Sequence, residues 1–200
     1  LRSPDVLFPY QQELKELVLK SYRSGNASAA LMSLPTGGGK TRTAIEIFNR
    51  LTNDESCRLV WVAPSVELVD QAVSTLKDLW ATFSNRKPIH LYHHAIGGDH
   101  EDAVVASFLT VQKAVKRTNL LVASNPTLFI FDEAHFAPAR SFATVIEHLK
   151  NKTDAFILGL SATPGRNDKS ESHLRSLFDN QLITPKQMGR SPIEFLRQKQ

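Results

Sequence analysis

A chain of 200 residues with 42% hydrophobic and 22% charged side chains is long enough to bury one substantial core and too apolar to be disordered. No apolar run approaches the ~20 residues of a membrane helix, Leu1 to Asp5 hold no apolar signal region, and the lone Cys57 excludes an internal disulfide, which points to the reducing cytoplasm. A net charge of +4 with a pI near 9.3 permits an anionic partner such as nucleic acid without requiring one.

In chain order, apolar residues at Leu14, Leu17, Val18 and Leu19 predict an amphipathic helix over 10–23. Ala29 to Leu34 is a short apolar run that ends at a proline and three glycines, and Thr41 to Leu51 returns to helical periodicity through Ala44, Ile45 and Phe48. Arg58 to Ala63 reads as a buried strand, followed by a helix to about Phe83 with Ser65 as its N-cap. Strands are predicted at 89–92 and 103–106, and Ser107 is expected to open a helix through Val115. Thr127 to Phe131 has no polar side chain after its first residue, as in a strand covered on both faces. A helix over 139–150, a strand over 155–160 and helices at 173–178 and 192–197 complete the reading. Strands alternating with helices predict an α/β fold with a mostly parallel sheet and helices on both faces. Ligands of such sheets bind beyond the carboxyl ends of the strands.

Three segments follow predicted strands. In Leu34-Pro35-Thr36-Gly37-Gly38-Gly39-Lys40-Thr41, the glycines let the backbone curl so that several N–H groups converge on phosphate oxygens, and the following helix adds the positive end of its dipole. Lys40 would reach the β- and γ-phosphates of ATP, and the Thr41 hydroxyl would ligate Mg²⁺. Leu34 stands where the usual phosphate-loop pattern has its first glycine. The second segment, Phe129-Ile130-Phe131-Asp132-Glu133-Ala134-His135, ends a buried strand in two adjacent carboxylates, costly there unless a cation and a polarised water use them. Asp132 is the candidate Mg²⁺ ligand, and Glu133 the base that orients and deprotonates the attacking water; Lys40, Asp132 and Glu133 form the catalytic set. An acidic pair that merely starts a helix is the plainer alternative. In the third segment, Leu158 to Arg166, Ser161 and Thr163 could hydrogen-bond the acidic segment and sense the nucleotide state, or could simply cap a turn.

In this order the three segments resemble the superfamily 2 helicases. Asp132-Glu133-Ala134-His135 spells their DEAH box and Ser161-Ala162-Thr163 their SAT motif; the longer strings resemble the branch of restriction-enzyme motor subunits and repair helicases. The resemblance covers roughly residues 8–170 and implies a RecA-like P-loop NTPase domain, a three-layer sandwich that is the first of two such lobes in the family. It implies an ATP-dependent helicase or translocase with ATP and Mg²⁺ as cofactors, nucleic acid as partner (DNA ahead of RNA), and a second RecA-like domain that would supply arginines to the transferred phosphoryl group. Residues 1–200 read as that single first domain. The chain starts without Met, so it is expected to be a piece of a longer protein. By the same resemblance Gln11 reads adenine, His135 couples the two lobes, and Pro64, Ser65 and Ser107 touch the nucleic-acid backbone. Val66 replaces an arginine common in the family, which weakens a charged contact there. A nucleotide-dependent switch that moves no strand, or an RNA motor, are the competing readings.

Four histidines, His90, His93, His94 and His100, with Asp99 nearby, match no standard zinc spacing and read as a solvated loop. Trp61 and Trp80 lie in apolar runs and read as core.

Overall fold

In the computed structural model, residues 6–54, 58–98, 100–124, 127–137, 140–162 and 169–186 are described. Seven strands form one sheet: β1 (Ala29–Ser33), β2 (Arg58–Ala63), β3 (Ile89–His93), β4 (Val104–Thr110), β5 (Leu128–Phe131), β6 (Phe156–Ser161) and β7 (Leu182–Ile183). Their spatial order is β3-β4-β2-β5-β6-β1-β7, and every neighbouring pair is parallel. The sheet needs cover on both faces, and α-helices supply it. The expected α/β sandwich with a parallel sheet is therefore what the chain forms.

Alternate residues of each strand feed two cores. Ala30 and Met32 of β1, Trp61 of β2, Phe108 of β4 and Ile130 of β5 pack beneath α1 (Pro9–Ser24), α2 (Lys40–Asp54) and α3 (Val66–Thr82). Leu31, Val62, Leu109, Phe129 and Phe131 pack on the opposite face against α4 (Val111–Lys116), α5 (Thr118–Ala123), α6 (Arg140–Lys152) and α7 (Lys169–Leu177). Trp61 stacks on Phe108 and Trp80 packs on Phe48, so both tryptophans are core as expected.

Two departures from the sequence reading have physical causes. β4 runs on to Thr110, four residues beyond the expected end, and α4 begins only at Val111. Ser107 was a candidate helix cap, but Phe108 and Leu109 extend the two-faced apolar pattern past it. The Thr110 hydroxyl accepts the Lys113 N–H and does the capping. The two-residue β7 escaped notice because so short a strand carries no periodicity; Leu31 N–H donates to Gln181 O at its entrance. The helix expected at 192–197 lies outside the described residues.

Asp179, in a left-handed conformation after α7, fastens the start of β1: its Oδ2 accepts Ser28 N–H, Ser28 O–H and Ala29 N–H, and Lys150 of α6 pairs with its other oxygen. Burial pushes its carboxyl up, but the Lys150 and Ser28 bonds outweigh that and hold it below the usual carboxylate range.

Gly159 shows how tightly β6 is covered. A Cβ there would sit 2.6 Å from Phe178 Cζ and 2.9 Å from Leu31 Cδ1. Gly159→Ala is expected to cost about 1–3 kcal/mol through overpacking and to lower the calorimetric Tm by several degrees; an unchanged Tm would show that Phe178 yields freely.

Candidate nucleotide site

β1, buried along its whole length, delivers the chain to the carboxyl edge of the sheet, where Leu34 N–H donates to Ser161 O. The next residues turn sharply. Gly38 N–H closes on Pro35 O, and Gly37 (φ 77°) and Gly39 (φ 82°) take left-handed conformations that other residues rarely adopt. α2 then starts at Lys40. The loop is braced from α1: Tyr10 O–H and Gln11 Nε2–H both donate to Gly38 O, at 2.9 and 3.1 Å.

The acidic pair arrives on β5. Asp132 N–H donates to Val62 O, which extends the β2–β5 ladder by one bond. Side-chain alternation carries Asp132 to the α2–α3 face, two residues after Ile130. Glu133 then adopts φ 48°, ψ 49°, an uncommon left-handed state for a residue with a side chain. This turn lets Glu133 N–H donate to Asp132 Oδ1 at 2.9 Å, and Glu133 Oε2 lies 3.2 Å from His135 Nδ1.

The two corners, distant in sequence, share one cleft of about 420 Å³. The phosphate-loop segment contributes Thr36, Gly37, Gly39, Lys40, Thr41 and Arg42 to its walls, and β5 contributes Asp132 and Glu133. The third wall is α3, through Leu68, Gln71, Ala72 and Thr75. Sequence reading missed this wall, although the spacing of those four marks one helical face; nothing local says which helix covers the cleft.

Asp132 is 6% exposed. Burial pushes its carboxyl up to about 6, and the adjacent Glu133 carboxylate adds to the rise. The Glu133 N–H and the Lys40 charge act against it. The Trp61 indole N–H, buried without a well-formed hydrogen bond, pulls the same way as Lys40. An acidic group so disfavoured as an anion, in a cleft beside a lysine, suits a site completed by an external cation.

Other expected site residues fall as follows. Leu34 is fully buried and Pro35 buried, and neither lines the cleft; the leucine at the first glycine position serves the core, and only its backbone belongs to the turn. Gln11 does not present a free amide to an adenine ring: it is 3% exposed, its Oε1 accepts Phe8 N–H, and its Nε2 holds Gly38. Ser161 ends β6, fully buried between the two corners, and Thr163 and Arg166 lie outside the described residues. His135 is on the surface beside Glu133. Pro64 and Ser65 lie partly exposed at the carboxyl end of β2, where the Ser65 hydroxyl accepts Leu68 N–H and caps α3. Ser107 is a correction. It sits 2% exposed in the middle of β4 with its hydroxyl accepting Gly97 N–H, buried within the fold and not presented at the surface.

Comparison with known proteins agrees with this geometry. Residues 5–166 match the family described as "Type III restriction enzyme, res subunit". The helicase-family protein IRC3 of Saccharomyces cerevisiae is 30% identical over 176 residues, covering 84% of this chain and 25% of that protein. The DNA 3'-5' translocase XPB2 of Sulfurisphaera tokodaii is 28% identical, covering 80% of this chain and 31% of that protein. Among solved structures, the Sulfolobus solfataricus SWI2/SNF2 ATPase core in complex with dsDNA superposes with a TM-score of 0.65 at 18% identity, over 96% of this chain and 38% of that one. The chain thus spans about a quarter to a third of the length of these curated relatives. With its glycine turn and acidic pair meeting at the edge of a parallel sheet, the chain belongs to the type III restriction enzyme Res-subunit family, as a RecA-like domain of the superfamily 2 helicase type.

Proposed function

We propose that this cleft binds and hydrolyses Mg-ATP, and that the chain is the first motor lobe of a DEAH-box helicase or translocase acting on DNA. The observation that carries the reading is the convergence of Lys40, Thr41, Asp132 and Glu133 on one cleft. The turn's backbone N–H groups and the start of α2 would cradle the phosphates, and Lys40 would hold the β- and γ-phosphate oxygens. The Thr41 hydroxyl and the Asp132 carboxylate are hard oxygen donors that suit Mg²⁺. Held by these two residues, the ion would supply positive charge to offset what develops on the phosphate oxygens. Glu133 orients a water and accepts its proton as the water oxygen bonds to the γ-phosphorus and the bond to ADP breaks. His135, against Glu133, and Ser161, between the corners, are suited to pass the nucleotide state onward.

A second RecA-like lobe would complete the cleft. Arginines of that kind are worth roughly 10³–10⁵ in rate, so this chain alone is expected to bind ATP weakly and turn it over poorly. Calorimetry with Mg-ATP tests the site directly: Lys40→Ala is expected to remove binding that the wild-type chain shows, with the fold intact by circular dichroism. An equal heat from both proteins would place the nucleotide elsewhere. For the motor reading, the ATPase of the full-length protein is expected to rise on adding DNA. If RNA alone stimulates it, the substrate assignment changes. If no nucleic acid does, the protein is a nucleotide switch.

A further inference from the structure

We propose that Asp70, His93 and His94 form a binding site for a divalent transition-metal ion of the zinc type, separate from the nucleotide cleft. Asp70 stands in the first half of α3, and the two histidines close β3. One ligand atom from each of the three lies within 4.8 Å of the others. Three ligand atoms this close can be gathered around one ion, with Zn–N near 2.0–2.1 Å and Zn–O near 2.0–2.2 Å as general distances. Two imidazoles with one carboxylate favour zinc-like ions over the all-oxygen preference of Mg²⁺.

The backbone explains why two successive residues face one carboxylate. Along a strand they would point to opposite sides. His94 leaves the strand conformation for φ 57°, which turns its ring back onto that of His93, with centroids 4.2 Å apart. Its N–H still donates to Phe108 O, so the kink is pinned to β4. A left-handed non-glycine residue costs on the order of 1–3 kcal/mol, and the protein's own contacts to the His94 ring return little of it. His94 Nδ1 is buried without a hydrogen-bond partner, and its Nε2 stops 3.6 Å from Asp70 Oδ1, beyond hydrogen-bonding distance. His93 Nε2 meets the same oxygen at 2.6 Å. An ion drawn between Asp70 and the two rings would give His94 Nε2 the partner that the 3.6 Å gap denies it and would account for the strained turn. Lys113 is near enough for its charge to act on His94; its ammonium opposes a metal charge and moderates the affinity. Three protein ligands leave an open position for water, and the exposure of Asp70 (51%) and His93 (44%) gives an ion access. An occupied site would tie the edge strand β3 to α3.

Titration of tag-free, chelator-stripped protein with ZnCl₂ in the calorimeter, without nucleotide, tests the assignment. One zinc per chain is expected, with affinity falling at least ~10-fold in each of His93→Ala, His94→Ala and Asp70→Asn. His100→Ala, which alters a neighbouring histidine outside the trio, is expected to leave it unchanged. Zinc is also expected to raise the wild-type Tm and not that of His94→Ala. No binding at 100-micromolar zinc (about that order, well above a specific Kd), or binding indifferent to His93 and His94, would overturn the proposal. Because Asp70 and His93 are at the surface, folding of their variants is expected to persist, and circular dichroism checks it.

Discussion

Asp132→Asn is expected to stabilise the nucleotide-free protein while disabling hydrolysis, two effects of opposite sign from one atom exchange. The Asp132 carboxyl is raised to about 6 from an ordinary 3.8 by burial and by Glu133. Between those values the folded chain holds a proton that the unfolded chain has released, so stability falls as pH rises through the window. Above about pH 6 the cost is complete and on the order of 3 kcal/mol at most. The asparagine amide removes the buried charge and can still accept the Glu133 N–H. Thermal unfolding at pH 7.5 without nucleotide should therefore give a higher Tm for the variant, and the two proteins should converge near pH 4. In the full-length protein, loss of the proposed Mg²⁺ ligand should lower the ATPase rate roughly 10²-fold or more. A variant less stable than wild type at every pH would mean that the carboxylate is held by contacts stronger than its desolvation, and the cation argument would lose its footing.

Gly39→Ala should abolish nucleotide binding through the backbone. Gly39 sits at φ 82°, and its missing Cβ would lie 2.3 Å from Gln11 Nε2. An alanine must either hold a left-handed conformation at about 1–2 kcal/mol or let the turn relax. In both cases it pushes on the amide that braces Gly38 O. The cradle of N–H groups would then lose its shape, and Mg-ATP binding should fall about 10²-fold or more, comparable to removing a well-placed set of charge-assisted hydrogen bonds. The control is Gly37→Ala: that glycine is also left-handed, but a Cβ there meets nothing within 4 Å. It should suffer the backbone strain alone and lose less. Equal losses would mean that strain, not the Gln11 contact, governs the turn.

The parallel sheet and the two cleft corners were legible because each rests on local chemistry. Apolar runs such as Phe129 to Phe131 declare a covered strand, and a glycine turn ending in Lys-Thr declares an anion cradle. What remained hidden depends on distance. Nothing near Leu68, Gln71, Ala72 and Thr75 says that their helix walls the cleft. Ser107 illustrates a different limit: serine serves equally as a cap or within a strand, and only its bond to Gly97 decides. Gln11 matched a familiar segment, yet the side chain is engaged on the glycine turn, at Gly38 O. The histidines at 93 and 94 match no sequence spacing because the carboxylate beside them comes from α3, and because a single left-handed residue reverses the expected direction of one ring.

β6 lies between β1 and β5, with Ser161 O accepting Leu34 N–H beside it. Consequently the lysine and aspartate corners issue from strands two spacings apart, a gap of about 9–10 Å. That interval is a ruler cut into the sheet. Widening it would break the β1–β6 or the β5–β6 ladder of hydrogen bonds, so the two corners keep a fixed separation. Any change in the width of the cleft must instead come from its α3 flank.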